Sequence, residues 1–207
     1  TPTSATCVGN TFTASVTVNP EPVGTPLTPA AICSEVVTGV TLTVPLAATY
    51  NITSIVDNGL TASAGNPAIG NGLAADVLAD DAWTNTTGSP VNVIYTIVPV
   101  SGASPNNCEG NPFTVTVTVN PEPVGVATPA TQTVCSDTPI TTIVLTTSNS
   151  LNASTTYAWT RDNTSGITVL DPSGTGNISG TPNNVTGTVQ TTVYTITPTT
   201  GIGCVGN

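Results

Sequence analysis

The chain has 207 residues, 44 of them threonine, with a single cation (Arg161), eleven carboxylates, no lysine and no histidine, for a net charge of −10. That balance argues against nucleic-acid binding and against attraction to anionic membranes, both of which need clustered cations. It also removes the commonest general bases, so we expect no enzyme and no cofactor. Apolar runs fall far short of the roughly 20 residues of a spanning helix, so no membrane insertion is expected.

In chain order, residues 1–19 read as the end of a module that began upstream. Cys7 opens Cys-Val-Gly-Asn, and Phe12, Ala14, Val16 and Val18 then alternate with Thr13, Ser15 and Thr17. Period two gives a strand with one apolar and one wet face. The linker Asn-Pro-Glu-Pro-Val-Gly follows at 19–24, and its two prolines stiffen it toward polyproline geometry. A first module is expected over 20–120. It opens at Ile32-Cys33-Ser34-Glu35, runs through an apolar strand at 40–46 and Tyr50, and closes in a hairpin: a strand at 91–97, then Cys108-Glu109-Gly110-Asn111, then Phe113, Val115, Val117 and Val119 alternating with threonine.

The same linker recurs at 120–125, and a second module over 121–207 repeats the order. Val134-Cys135-Ser136-Asp137 matches the opening, Tyr157-Ala158-Trp159-Thr160 matches the stretch at Tyr50, and Tyr194 falls in register with Tyr95. Asn85-Thr86-Thr87-Gly88 matches Asn184-Val185-Thr186-Gly187. The sequence ends on Cys204-Val205-Gly206-Asn207, so the second module is expected to lack its own last strand. A period near 100 residues marks an array of modules rather than one catalytic unit. About seven short β-branched strands per module, punctuated by Gly and Pro, predict an all-β fold of tandem immunoglobulin-like sandwiches.

Five cysteines in a β-rich chain point to an oxidising, extracellular setting. With the first strand and last hairpin of a sandwich placed at one pole, Cys33 pairs with Cys108 and Cys135 with Cys204, and Cys7 pairs with a cysteine outside the chain. A rival pairing, Cys7 with Cys33, would bridge two modules. Asp76, Asp80 and Asp81 form the one acidic cluster and are candidate oxygen ligands for a metal such as calcium, although their spacing is not that of an EF-hand and the second module has no equivalent. The plainer reading is a solvated loop. Trp159 reads as core, and Arg161 as a surface or cross-strand partner of a carboxylate such as Asp162. Among six Asn-x-Ser/Thr sequons, Asn85 and Asn184 recur in register. They are candidate glycosylation acceptors or turn-forming asparagines. Phe12, Ala14, Val16 and Val18 either continue a preceding module in one covalent array or complete the open module of another subunit by strand exchange.

The Cys-Ser opening, the run from Tyr157 to Asn163, Gly174-Thr175-Gly176-Asn177-Ile178-Ser179-Gly180, the Tyr-Thr-Ile-x-Pro strand, the Cys-x-Gly-Asn hairpin and the Phe-Thr-Val-Thr-Val-Thr-Val-Asn-Pro end strand together resemble PKD-like, immunoglobulin-fold repeats. Such repeats build giant surface proteins of Bacteroidota, including gliding-motility adhesins. The first module departs from the pattern in placing Ile52 where the second has Trp159. The resemblance implies a structural or adhesive segment of an extracellular filament or stalk on a bacterial cell surface. Its partners would be copies of itself, end to end, with surface glycans as further ligands, and it carries no catalytic residues. The alternatives are a glycan- or partner-binding module, and a non-catalytic spacer of a large secreted enzyme.

Overall fold

The computed structural model describes residues 10–102 and 107–206, so Cys7 lies outside it. Among the described residues, fourteen strands carry almost all the regular structure. The first seven are β1 (Ile32–Cys33), β2 (Ala47–Val56), β3 (Thr61–Ala64), β4 (Gly70–Leu73), β5 (Ala82–Thr84), β6 (Val91–Ser101) and β7 (Phe113–Asn120). The second seven are β8 (Gly125–Thr128), β9 (Val144–Thr147), β10 (Thr155–Arg161), β11 (Ile167–Thr168), β12 (Ser173–Thr175), β13 (Asn183–Asn184) and β14 (Tyr194–Thr200). Each set pairs only within itself, giving two all-β, immunoglobulin-like modules in tandem.

The alternation of the sequence decides which face of each strand is buried. Along β7, Phe113, Val115, Val117 and Val119 point inward while the threonines between them stay half exposed. Its neighbour β6 turns Val93, Tyr95 and Ile97 to the same interior, and none of the three is exposed. These two strands are the centre of a five-stranded sheet in the order β1-β7-β6-β2-β4. Against it lies the antiparallel β3–β5 pair, which brings Leu60 and Trp83 into the shared core. Each buried aliphatic or aromatic side chain contributes about 1.5–3 kcal/mol.

The opening segment of the first module runs parallel to β7. Leu27 bridges Val115, Ile32 pairs with Val119 and Cys33 pairs with Asn120. The chain therefore crosses the whole module, from its N-terminal pole to its C-terminal pole, before reaching Cys33.

The second module keeps the β2–β6 pair as β10–β14 and the β3–β5 pair as β11–β13. No counterpart of β7 follows β14 among the described residues. The opening segment β8 pairs antiparallel with β9 instead; β14 pairs with β10 along one edge, and on the other only its end, Pro198 to Thr200, is bonded, by the hairpin at Cys204–Gly206. Tyr194 and Ile196 are accordingly half buried, where Tyr95 and Ile97 are sealed.

Candidate functional site: the intermodule junction and an open edge

The junction grows out of a buried asparagine. Asn85 follows β5 and is fully buried. Its side-chain oxygen accepts from Thr87 N (3.0 Å) and Thr87 Oγ1 (2.7 Å), the hydrogen bonds of an Asx turn. Its Nδ2 donates to Val119 O (2.8 Å) and Ser89 O (3.1 Å), and its backbone N donates to Ser34 Oγ (2.9 Å). The Asn85 carbonyl then accepts from Glu122 N of the linker (3.0 Å). Pro121, Glu122 and Pro123 are all buried, whereas in the first copy of the linker Pro20 and Glu21 are exposed and only Pro22 is buried. Burial holds the Glu122 carboxyl above the usual carboxylate range, the Glu35 carboxylate adds to this, and a hydrogen bond with Ser34 opposes it.

The second module reaches back across the linker with Asn149. Its Nδ2 lies within donating distance of Glu122 O (2.7 Å), Thr86 O (3.1 Å) and Thr87 O (3.2 Å), and its Oδ1 accepts from Val124 N (3.2 Å). The hairpin after β14 docks on the linker through Gly206, where a Cβ would lie 1.9 Å from Pro123 O; only glycine permits that approach. This brings Cys204 to Cys33, and the two form a disulfide with Cα atoms 5.4 Å apart.

That bond corrects the pairings expected from sequence. Cys33 bonds Cys204, so neither Cys33–Cys108 nor Cys135–Cys204 forms, and the Cys7–Cys33 rival is excluded with them. The physical reason is the parallel opening segment. Cys33 lies beside Asn120 at one end of β7, while Cys108 precedes Phe113 at the other, a strand length of about 24 Å away. A disulfide tolerates a Cα separation of at most about 7 Å. Cys135 stands at the equivalent of Cys33 and is exposed. The pairing of Cys7 lies outside the described residues.

The other expected site residues fall as follows. Asp76, Asp80 and Asp81 do not assemble a metal site: Asp76 and Asp80 are exposed, Asp81 is buried, and among the described residues no three metal-ligating side chains converge. Asp81 Oδ2 accepts from Tyr95 OH (2.9 Å), which in turn accepts from Trp83 Nε1 (3.0 Å). Burial raises the Asp81 carboxyl to about 6, against the lowering effect of the Tyr95 bond, with the Asp80 charge adding to the rise. Asn85 cannot carry a glycan in this fold, because the acceptor nitrogen is buried and makes two hydrogen bonds. Asn184 builds the same turn, with Thr186 and Thr188 as partners, on a half-exposed surface. Arg161 is not a surface charge. It is buried, and its guanidinium donates to the carbonyls of Leu170, Asp171, Asn163 and Asp162. Trp159 lies on the inner face, half buried, donating to Gly176 O and meeting Tyr194 edge-on at 5.5 Å.

Phe12, Ala14, Val16 and Val18 pair with nothing among the described residues, and Phe12 is 92% exposed. In the first module the equivalent Phe113 lies opposite Ile97 and covers Gly24, where a Cβ would fall 2.2 Å from the ring. In the second module the matching residues, Gly125 and Ile196, line an open cavity of about 150 Å³ with Leu145, Tyr157 and Pro198. The cavity stands where Phe113 stands in the first module, beside the stretch of β14 before Pro198. Repetition in the sequence marked Ser34 and Asn85 through their partners Ser136 and Asn184, but nothing marked Asn149.

A family model described as a PKD-like domain matches residues 30–123 and again residues 132–207. No curated protein and no solved structure matches the chain significantly.

Proposed function

Because the chain belongs to the PKD-like domain family and carries that domain twice in tandem, we propose that it is a structural or adhesive segment of an extracellular filament or stalk, as on Bacteroidota cell surfaces. In this reading the last strand of the second module is supplied by the following repeat or subunit. PKD-like domains are generally structural or adhesive extracellular modules and typically non-catalytic, and a disulfide fits a non-cytoplasmic protein.

The observation that carries the reading is the match between a vacant seat and a spare strand. The open stretch of β14 and the cavity at Gly125 stand at the positions that β7 covers in the first module, while residues 12–19 repeat the sequence of β7 at all but two positions and hold their apolar face in solvent. Strand addition satisfies the edge hydrogen bonds and buries that face in one step. A stapled junction adds reach and direction, as a stalk requires.

Electron microscopy of the protein released from its native surface tests this. The reading predicts a thin string with one bead about every 40 Å, the length of a module built on strands of about ten residues. A compact particle with a single large lobe would contradict it. Heating in detergent and reductant separates the two sources of the strand, since a band near 20 kDa requires exchange between subunits and a very large species requires one continuous chain.

A further inference from the structure

The C-terminal pole of the second module repeats the half-site that holds the second module on the first. Ser136 Oγ accepts from Asn184 N at 3.0 Å, as Ser34 Oγ does from Asn85 N at 2.9 Å. Asn184 Nδ2 donates to Thr188 O at 2.9 Å, as Asn85 does to Ser89 O at 3.1 Å. The Oδ1 of each asparagine accepts from the threonine two residues on, through N and Oγ1, in both modules. Asp137 N bonds Pro182 O as Glu35 N bonds Trp83 O. The two poles differ in what covers them. Ser34 and Asn85 are buried beneath the linker and the hairpin of the second module, while Cys135 and Ser136 are exposed.

The complementary half is repeated too. Gly110 of the first hairpin approaches Pro22 O as Gly206 approaches Pro123 O, so closely that a Cβ on either glycine would lie 1.9 Å from the oxygen. This carries Cys108 Sγ to 3.9 Å from Asn19 O, and Asn19 is the equivalent of Asn120, the residue beside Cys33. A PKD-like module of this type therefore offers an opening cysteine at its C-terminal pole and a hairpin cysteine at its N-terminal pole. The two meet only across a junction.

We propose that Cys135, Ser136 and Asn184 form the docking site for a further module of the same polypeptide, and that Cys135 is disulfide-bonded to the hairpin cysteine of that module. The inference rests on the tandem-array reading above. It names a bond that joins every module to both of its neighbours. Formation is a two-electron oxidation: the two thiols lose two protons and two electrons to an external disulfide such as oxidised glutathione, which leaves as two thiols, and one S–S bond replaces another. Ser136 Oγ–H then has the partner that Ser34 has, the buried linker glutamate. In such a ladder only the stretches between a hairpin cysteine and the next opening cysteine, as in residues 108–135, remain extensible under load.

The test extends the full chain by appending residues 112–207 after Asn207, which continues the Cys-Val-Gly-Asn hairpin in register as Cys-Glu-Gly-Asn continues at 108–111. After refolding in a glutathione redox buffer, peptic peptides are mapped without reduction. The expected map joins Cys33 to Cys204 and Cys135 to the hairpin cysteine of the appended segment. In the Cys135→Ser form, that appended cysteine should become fully alkylatable while Cys33–Cys204 persists. A Cys135 that alkylates freely, or bonds between chains, overturns the proposal. The same map on the protein from its native surface gives a second reading that is independent of refolding, and Cys135 found as a thiol there also overturns it. Filaments with a reduced Cys135 would sink this inference alone; mapped bridges in a compact particle would sink the functional reading alone.

Discussion

Cys33 and Cys204 stand 171 residues apart in sequence and 5.4 Å apart at Cα. Their bond joins the far pole of one module to the near pole of the next. Neither cysteine belongs to the first module's hydrophobic cluster, so the bond's main effect falls on how the modules sit relative to each other.

The Cys33→Ser, Cys204→Ser double variant should keep both modules folded, with an unchanged far-ultraviolet spectrum. The junction should loosen, read as a broader distribution of dimensions in small-angle scattering. The ceiling on lost stability is about 5 kcal/mol, the chain-entropy value for so long a loop.

Asn149 makes the polar counterpart of that staple, with Nδ2 shared among three carbonyls of the linker and the first module. Asn149→Ala leaves those carbonyls and Val124 N unmatched at a half-buried site. In a Cys33→Ser background, where the covalent tether no longer masks the effect, it should weaken docking of the modules by about 1–3 kcal/mol. Hydrogen exchange at Glu122 N and Val124 N reads this directly.

The two linker glycines should respond in opposite ways. Gly24→Val drives a side chain into the Phe113 ring and should destabilise the first module by about 1–3 kcal/mol in urea unfolding. Gly125→Val meets only Pro198 Cγ at 3.5 Å and extends into the open cavity, so it should leave the two-module chain as stable as before or slightly more so. It should, however, block acceptance of a strand led by phenylalanine.

Asp81 gives the first module a pH signature. Its folded value of about 6 exceeds the ordinary 3.8, so the folded state holds the proton more tightly than the unfolded chain does. The contribution of Asp81 to stability is therefore fully present below pH 4, is lost as pH rises from about 4 to about 6, and is flat above, with a total of up to about 3 kcal/mol. Asp81→Asn keeps an acceptor for Tyr95 OH and removes the charge. Thermal unfolding at pH 4 and pH 7 should then differ less for the variant than for the parent; an equal difference would show that the buried carboxyl does not carry the effect.

Period-two runs made β6, β7 and the tandem order legible, because one buried face imposes alternation on the residues themselves. The direction of a short opening segment leaves no such mark. Residues 24–33 carry no alternation that says whether they run with β7 or against it, and the cysteine pairing turns on that choice. Asp81 and Arg161 looked like surface charges because spacing does not disclose a partner fourteen residues away, such as Tyr95, or a guanidinium satisfied by backbone carbonyls. The sequon and the turn chemistry of Asn85 allow two roles; only the burial of its Nδ2 separates them.

The most direct measurement of whether the second module takes a strand from outside itself is a titration of the chain with a peptide of residues 112–125, followed by amide exchange along β14. The account predicts saturable binding, slowed exchange between Gln190 and Ile196, the equivalents of the residues that β7 covers in the first module, and loss of both in Gly125→Val. Unchanged exchange along β14 at saturating peptide would contradict it.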